Sequence, residues 1–293
     1  MKRIAALLFC SSLLLSAFPL KAQKELKEPL VLDGIYERET IPQRVPIPYP
    51  HLREADMMWT KRIWRTIDLR EKVNHPLYYP TERMFDRISL FQRLLDAIKY
   101  NEINAYDTDD DEFSTLLSYD QILKRMDALD EEITRQLPDG RDTTFIRPGQ
   151  IKFNEVKQLM IKEEWFFDKQ HSTMQVRILG ICPIREYVKT VKTGDEEDIG
   201  GELAKSKLFW IYYPHARTVL ANTAIFNEFN DAQRISFDDL FFKRRFSSYI
   251  VQETNVYDNR LIQAYTFGGI PNMQESERIK TDLFNLEHDL WEY

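Results

Sequence analysis

The chain has 293 residues, of which 43% are apolar and 13% are aromatic, so it can bury a large core and does not have the composition of a disordered protein. Its 40 basic and 47 acidic residues give a formal net charge of −7. This charge argues against a general surface for nucleic acid or anionic lipid, because neither attracts an acidic protein.

The first 22 residues have the three-part pattern of a secretory signal peptide. Lys2 and Arg3 precede an apolar run over residues 4–15, and we expect cleavage after Ala22. Cleavage removes three basic residues and no acidic residue, so the formal net charge becomes −10. The run is shorter than the ~20 apolar residues of a membrane-spanning helix, and no later stretch reaches that length. The mature protein is therefore predicted to be exported, without a membrane span.

Two cysteines are present. Phe9, not a small residue, precedes Cys10, so a lipoprotein signal is not expected. Signal cleavage would leave Cys182 as a lone cysteine, which excludes an intrachain disulfide. Its apolar neighbours Ile178, Leu179 and Ile181 predict a small buried residue.

Residues 23–50 are interpreted as a proline-rich arm, because proline removes backbone donors and favours extended conformations. Two alternatives remain open at this point. The arm either lies along its own domain or a neighbouring subunit, or it is a flexible tether.

Residues 51–137 are predicted to form three helices from the spacing of their apolar residues. The first carries Ala55, Trp59, Ile63 and Ile67 at four-residue steps. The second is capped by Thr81 and carries Met84, Ile88, Phe91, Leu95 and Ile98. The third begins at Asp120 and carries Ile122, Met126, Leu129, Ile133 and Leu137.

Residues 138–149 contain prolines and glycines among polar residues and are predicted to be a linker or long turn. Beyond them, alternating or aromatic patterns predict strands at residues 174–178, 207–213 and 246–251, and an acidic loop at 194–201.

Two helices are also predicted in this second half. One begins at Ser236, which forms a capping-box pattern with Asp239. The other is a terminal helix that Ser276 could cap, with Ile279, Leu283, Leu286 and Leu290 on its apolar face. The predicted class is α+β, with a mostly helical N-terminal half and an α+β region over 150–293 that either stands alone or forms one domain with 51–137.

No pattern of a catalytic, metal or cofactor site is found. The sequence lacks HExxH, CxxC, GxSxG and nucleotide-binding glycine patterns. The histidines are scattered singly at positions 51, 75, 171, 215 and 288. Glu163 and Glu164 are a carboxylate pair, but they precede three aromatic residues and are interpreted as the polar edge of an aromatic anchor. The prediction is a protein that is not an enzyme and has no cofactor.

The acidic segment from Asp107 to Glu112 resembles the start of a calcium loop. Glu112 occupies the sixth position, where glycine belongs, and Ser118 occupies the twelfth, where a bidentate glutamate belongs. A solvated loop is therefore expected, and a small-ligand or calcium-binding protein is kept as the alternative function.

Two further clusters, one basic and one at the C-terminus, are candidate interaction sites. The basic run Lys243, Arg244 and Arg245 is interpreted as the solvated face of an amphipathic helix. The C-terminal residues Leu290, Trp291 and Tyr293 are unusual, because a chain end frays unless something holds it. We predict that they bind the body of the protein or a neighbouring subunit.

Several long strings resemble the gliding-motility N, or PorN, family of the Bacteroidetes, in the family's order. They are WRTIDLREKVNHPLYYP (64–80), EEWFFDK (163–169), MQVRILGICP (174–183), LFWIYYP (208–214), SFDDLFFKRRFSSYI (236–250) and DLWEY (289–293). Residues 23–50 carry no matching string.

The resemblance implies a periplasmic component of the type IX secretion system that forms large rings with the outer-membrane lipoprotein PorK. It further implies association with the inner face of the outer membrane, contacts with other copies and other secretion subunits, and a part in motility in gliding species. No catalytic residue is implied.

Overall fold

The computed structural model describes residues 35, 39–84, 87–109, 111–129, 131–136, 142–147, 149–188, 191–193, 196–198, 203–228, 230 and 232–290. Only the backbone is described for 131–136, 142–147, 191–193 and 196–198. The predicted signal peptide lies outside the described residues.

The strands are β1 (Met57–Asp68), β2 (Ala105–Tyr106), β3 (Leu116–Leu117), β4 (Glu131–Gln136), β5 (Asp142–Arg147), β6 (Val156–Asp168), β7 (Thr173–Val188), β8 (Val191–Thr193), β9 (Glu196–Asp198), β10 (Leu203–Lys207), β11 (Trp210–Tyr212), β12 (Ala224–Ile225), β13 (Ile235–Ser236) and β14 (Tyr249–Glu253). The helices are α1 (His75–Tyr78), α2 (Leu90–Lys99), α3 (Tyr119–Arg125), α4 (Tyr213–Ala221), α5 (Phe237–Phe242) and α6 (Gly269–Asp289). Within the described residues, none of these helices is long and apolar enough to cross a membrane.

One large antiparallel sheet organises the described residues. Its strand order is β14-β1-β6-β7-β11-β2-β3, and β10 pairs with β7. The pairs β4–β5, β8–β9 and β12–β13 form separate two-stranded sheets. The long strands β1, β6 and β7 lie side by side and form the centre of the sheet.

The prediction of a mostly helical N-terminal half is wrong, and the first predicted helix shows why. Its residues form strand β1, which pairs with β6 on one side and β14 on the other. Trp59, Ile63 and Ile67 are four residues apart, and residues at that spacing share a face in both a helix and a strand. The aromatic and β-branched content of β1 favours the strand, and its two sheet neighbours decide the outcome.

The other two predicted N-terminal helices are shorter in the structure. Helix α2 begins after Ser89, whose capping box with Gln92 replaces the predicted cap at Thr81. Helix α3 is capped by Ser118 and ends before Asp127, which has a left-handed φ of 53°. Residues 131–136 of the predicted continuation instead form β4, which pairs with β5, and β5 falls in the predicted linker.

The C-terminal half follows its predictions more closely. The predicted strands lie in β7, in β10 with β11, and in β14, although Tyr213 already begins α4. The capping box of Ser236 and Asp239 at α5 is confirmed. Helix α6 begins at Gly269, so Ser276 does not cap it; its hydroxyl instead accepts a 2.9 Å hydrogen bond from the backbone N–H of Ile250 on the edge strand.

The core is divided between the two faces of the sheet, because neighbouring strand residues point to opposite faces. On one face, Ile67 and Ile161 pack in a cluster with residues of α2, α4 and α5. On the other, Trp64, Met160 and Cys182 pack with Trp210. Helix α6 contributes a further cluster, in which Ile279 and Leu283 pack against Ile63 and Ile250 of the outer strands.

Gly180 allows the loop before β3 to approach the sheet. A Cβ atom at this position would lie 2.7 Å from Cζ of Phe113 and 3.1 Å from Cε3 of Trp210.

We therefore expect Gly180→Ala to lower the free energy of unfolding by about 1–3 kcal/mol through overpacking. Gly269→Ala is the control, since nothing lies within 4 Å of its added Cβ, and it should be neutral or slightly stabilising. Urea unfolding measures both; equal stabilities would contradict the packing argument.

Cys182 is fully buried, as predicted, and burial raises the pKa of its thiol to about 12. The reactive thiolate is therefore scarce near neutral pH.

We expect negligible alkylation of Cys182 by iodoacetamide at about pH 8 in the folded protein, and complete alkylation in denaturant. Rapid labelling of the folded protein, followed by mass spectrometry, would show that Cys182 is accessible.

Candidate interaction site

Residues 39–50, the described part of the predicted proline-rich arm, contact the rest of the same chain and are called the arm below. The guanidinium of Arg44 forms a 2.6 Å ion pair with Asp239 of α5. The backbone oxygen of Pro50 accepts a 2.7 Å hydrogen bond from Arg177 of β7, and the ring of Tyr49 lies 4.2 Å from the Arg217 guanidinium. The described part of the arm is therefore held by cations and carboxylates of the body.

Arg217, which contacts the Tyr49 ring, belongs to a buried hydrogen-bonded group with Asp238 and Tyr213. Asp238 accepts a 2.8 Å bond from the Tyr213 hydroxyl and a 2.9 Å bond from Nε of Arg217. Burial, together with the nearby charge of Asp238, raises the pKa of Tyr213 well above its usual value, so this phenol remains a donor. Burial also raises the pKa of Tyr49.

A cleft with a volume of about 220 Å³ opens where the arm meets β7 and α5. Its lining consists of Tyr49, Pro50, Gln175, Val176, Arg177, Ile178, Tyr213, Phe241, Phe242 and Arg244. The lining includes four aromatic residues and two arginines and, among the described residues, no acidic residue. The cleft suits a ligand that combines aromatic groups with negative charge.

Arg244 is anchored by Glu163, a fully buried carboxylate of β6. The Glu163 carboxylate lies 2.9 Å from Arg244 and 3.1 Å from Arg65, and it accepts a 3.0 Å bond from the Trp165 indole. Arg244 has a left-handed φ of 51°, an uncommon conformation for a side chain of this size. Burial lowers the pKa of Arg65, and the charge of Glu163 opposes that shift.

These contacts change the interpretation of two sequence clusters. Helix α5 ends at Phe242, so the basic run is not part of a helix, and Arg244 points inward. Glu163 is buried in an ion cluster, whereas Glu164 pairs at 3.6 Å with the exposed Arg62. Sequence reasoning missed the role of Arg244, because Glu163 lies 81 residues away in the chain.

Carboxylates of the acidic segment 107–112 bind donors of the same chain. Asp107 pairs with Arg125 at 2.5 Å, and the hydrogen bond from this guanidinium lowers the pKa of Asp107. Asp111 accepts a 2.6 Å bond from the Trp64 indole and lies 3.4 Å from the Lys162 ammonium. Among the described residues, no group of three or more His, Cys, Asp or Glu is placed to hold a metal. The calcium alternative gains no support from these contacts.

A second candidate surface lies on α6. Ile270, Met273 and Phe284 are exposed, and at 100° per residue they fall within about 60° of one another around the helix. We call these three residues the apolar stripe. They point away from the buried side of α6, and Phe267, just before the helix, is 89% exposed.

The predicted partner-binding residues follow this helix. Leu290 comes directly after α6 and is 39% exposed. Trp291 and Tyr293 lie outside the described residues. Their contact with a partner remains a prediction.

The Glu163 cluster yields a stability test. We expect Glu163→Gln to lower the free energy of unfolding by about 3–5 kcal/mol, because it leaves two arginines without their buried counter-charge. Glu164→Gln is the matched control and should change it by less than about 1 kcal/mol, since its ion pair is solvent-exposed. Similar unfolding midpoints in urea for the two variants would contradict the assignment.

Comparison with known proteins places the chain in a family. A search of curated proteins found no match. The family model described as gliding motility associated protein GldN matches residues 52–292, which cover the sheet, α6 and the cleft lining apart from Tyr49 and Pro50. The resemblance seen in the sequence is thereby confirmed. The chain belongs to the GldN family of gliding motility associated proteins.

Proposed function

We propose that the protein is a periplasmic structural subunit of the type IX secretion machinery and, in gliding species, of the motility machinery. Membership of the GldN family associates the chain with gliding motility and type IX secretion. The proposed assembly is a large ring of copies with a PorK-like outer-membrane lipoprotein at the inner face of the outer membrane. In this proposal the protein is a scaffold and not an enzyme.

The exposed apolar side chains of the α6 region carry the proposal. Phe267, Ile270, Met273 and Phe284 are each at least 65% exposed, and large apolar groups gathered on one element are typical of interaction surfaces. Permanent assemblies bury such groups over interfaces that often exceed about 2,000 Å². An assembly subunit accounts for this exposure.

The pairing of carboxylates with arginines of the same chain also supports the proposed structural role. The carboxylates of Asp107, Glu163 and Asp238 each have an arginine partner. Their charges therefore stabilise the body and are not presented together as an acid–base pair. This arrangement suits a rigid structural component.

The direct test is gentle extraction of the outer membrane and purification through a tag on the mature chain. We expect stoichiometric recovery of a lipoprotein in large rings, identified by mass spectrometry and electron microscopy. A lone monomer under several mild detergents would contradict the proposed assembly.

The double variant Ile270→Ser with Phe284→Ser tests the surface itself. Loss of central apolar contacts typically weakens an interface by at least about tenfold, so large assemblies should disappear while the fold is retained. Leu116→Ser is the matched control, because Leu116 is also exposed but lies on β3, at the opposite end of the sheet from β14. Circular dichroism verifies folding. Intact rings in the double variant would exclude the apolar stripe from the interface.

A further inference from the structure

The cleft lies beside a stretch of β7 that has a strand on one side only. Strand β6 pairs along most of β7. On the other side, β11 pairs at Gly180 and Ile181, and β10 pairs from Ile184 to Val188. Within the described residues, 173–179 have no second strand neighbour, and Gln175, Val176, Arg177 and Ile178 of this stretch line the cleft. An extended segment can pair with an open strand edge of this kind.

The cleft also has an unused donor. The Nε atom of Arg177 is buried and has no hydrogen-bond partner among the described residues. The same guanidinium lies between the rings of Tyr49 and Phe166, at 5.0 and 5.2 Å from their centres. A buried donor without a partner is uncommon in folded proteins, and a carboxylate satisfies it well.

We propose that the cleft binds the C-terminal segment of a second copy of this chain, residues 289–293. Asp289 is the last residue of α6, and Leu290-Trp291-Glu292-Tyr293 follow it; together these residues carry two side-chain carboxylates and two aromatic side chains. The segment therefore complements the two guanidinium groups and the aromatic walls of the cleft. The inference rests on the proposed scaffold function and assigns one of its contacts between subunits.

The segment is assigned to the cleft of a second copy, because the proposed scaffold function requires contacts between subunits. In this arrangement α6 packs on β14 and β1 of one copy, and the residues at its end meet the cleft beside β7 of the next copy. A segment of one copy that binds a different surface of the next copy makes a heterologous contact. Contacts of this type close into rings when the rotation between copies allows it.

Disulfide trapping between two differently tagged copies tests the contact. One full-length copy carries Gln175→Cys and the other carries Leu290→Cys, which keeps both carboxylates of the segment, while the buried Cys182 does not compete. Mixing under mild oxidation should give a disulfide-linked heterodimer. The control copy carries Val73→Cys, an exposed position outside the cleft lining, and should not link.

Two results of this experiment overturn the inference. One is the absence of a link between copies. The other comes from a further variant that carries both cysteines in one chain: a link that forms within this chain at high dilution, without a link between copies, would place the segment in its own cleft.

A synthetic peptide of residues 285–293 gives an independent test. It is labelled and titrated into a chain that lacks residues 290–293, with fluorescence anisotropy as the readout. Arg177→Gln should weaken binding about tenfold, which is typical for loss of a charged hydrogen bond. Arg62→Gln, on β1 and exposed, should leave binding unchanged. Equal affinity for both variants, with matched circular dichroism, would refute a role for the cleft.

The two proposals fail in different ways. Rings that assemble without the disulfide link would overturn the tail contact and leave the scaffold function standing. A link between copies in a protein that never recruits a lipoprotein would instead overturn the scaffold function.

Discussion

The buried charge of Glu163 constrains much of the surrounding structure. A carboxylate without solvent contact at the centre of a sheet costs several kcal/mol unless cations and donors surround it. Arg65 meets it from the neighbouring strand β1, and Arg244 meets it from the turn after α5. The left-handed backbone of Arg244 ends α5, and from this position its guanidinium reaches Glu163.

Arg244 links the end of α5 to the sheet, and the apolar face of α5 packs in the core; α5 in turn contacts the arm. Asp239 of α5 pairs with Arg44, while Asp238 orients Arg217 beneath Tyr49. The cleft is the space left between these elements and β7. Its lining contains Arg177 and Arg244, whereas the nearby carboxylates of Glu163 and Asp238 are buried outside the lining.

The two candidate surfaces differ in chemistry, and this difference suits an assembly with more than one kind of contact. The cleft combines cations with aromatic rings, whereas the apolar stripe of α6 offers large side chains without charge. Apolar area stabilises association without fixing direction, and charged groups fix register and partner choice. A subunit that must meet both its own copies and other proteins can use each surface for a separate contact.

The sequence by itself determined the features that depend on a few neighbouring residues. The capping box at Ser236, the strands within β7 and β14, the buried state of Cys182 and the family resemblance were all found there. It failed at β1, because a four-residue spacing fits a helix and a strand equally well and the choice came from β6 and β14. Only the tertiary structure decided that Glu163 joins Arg244 and that the arm closes one side of a cleft. Those contacts join residues 81 to 195 positions apart, and no local pattern encodes which distant charge a side chain will meet.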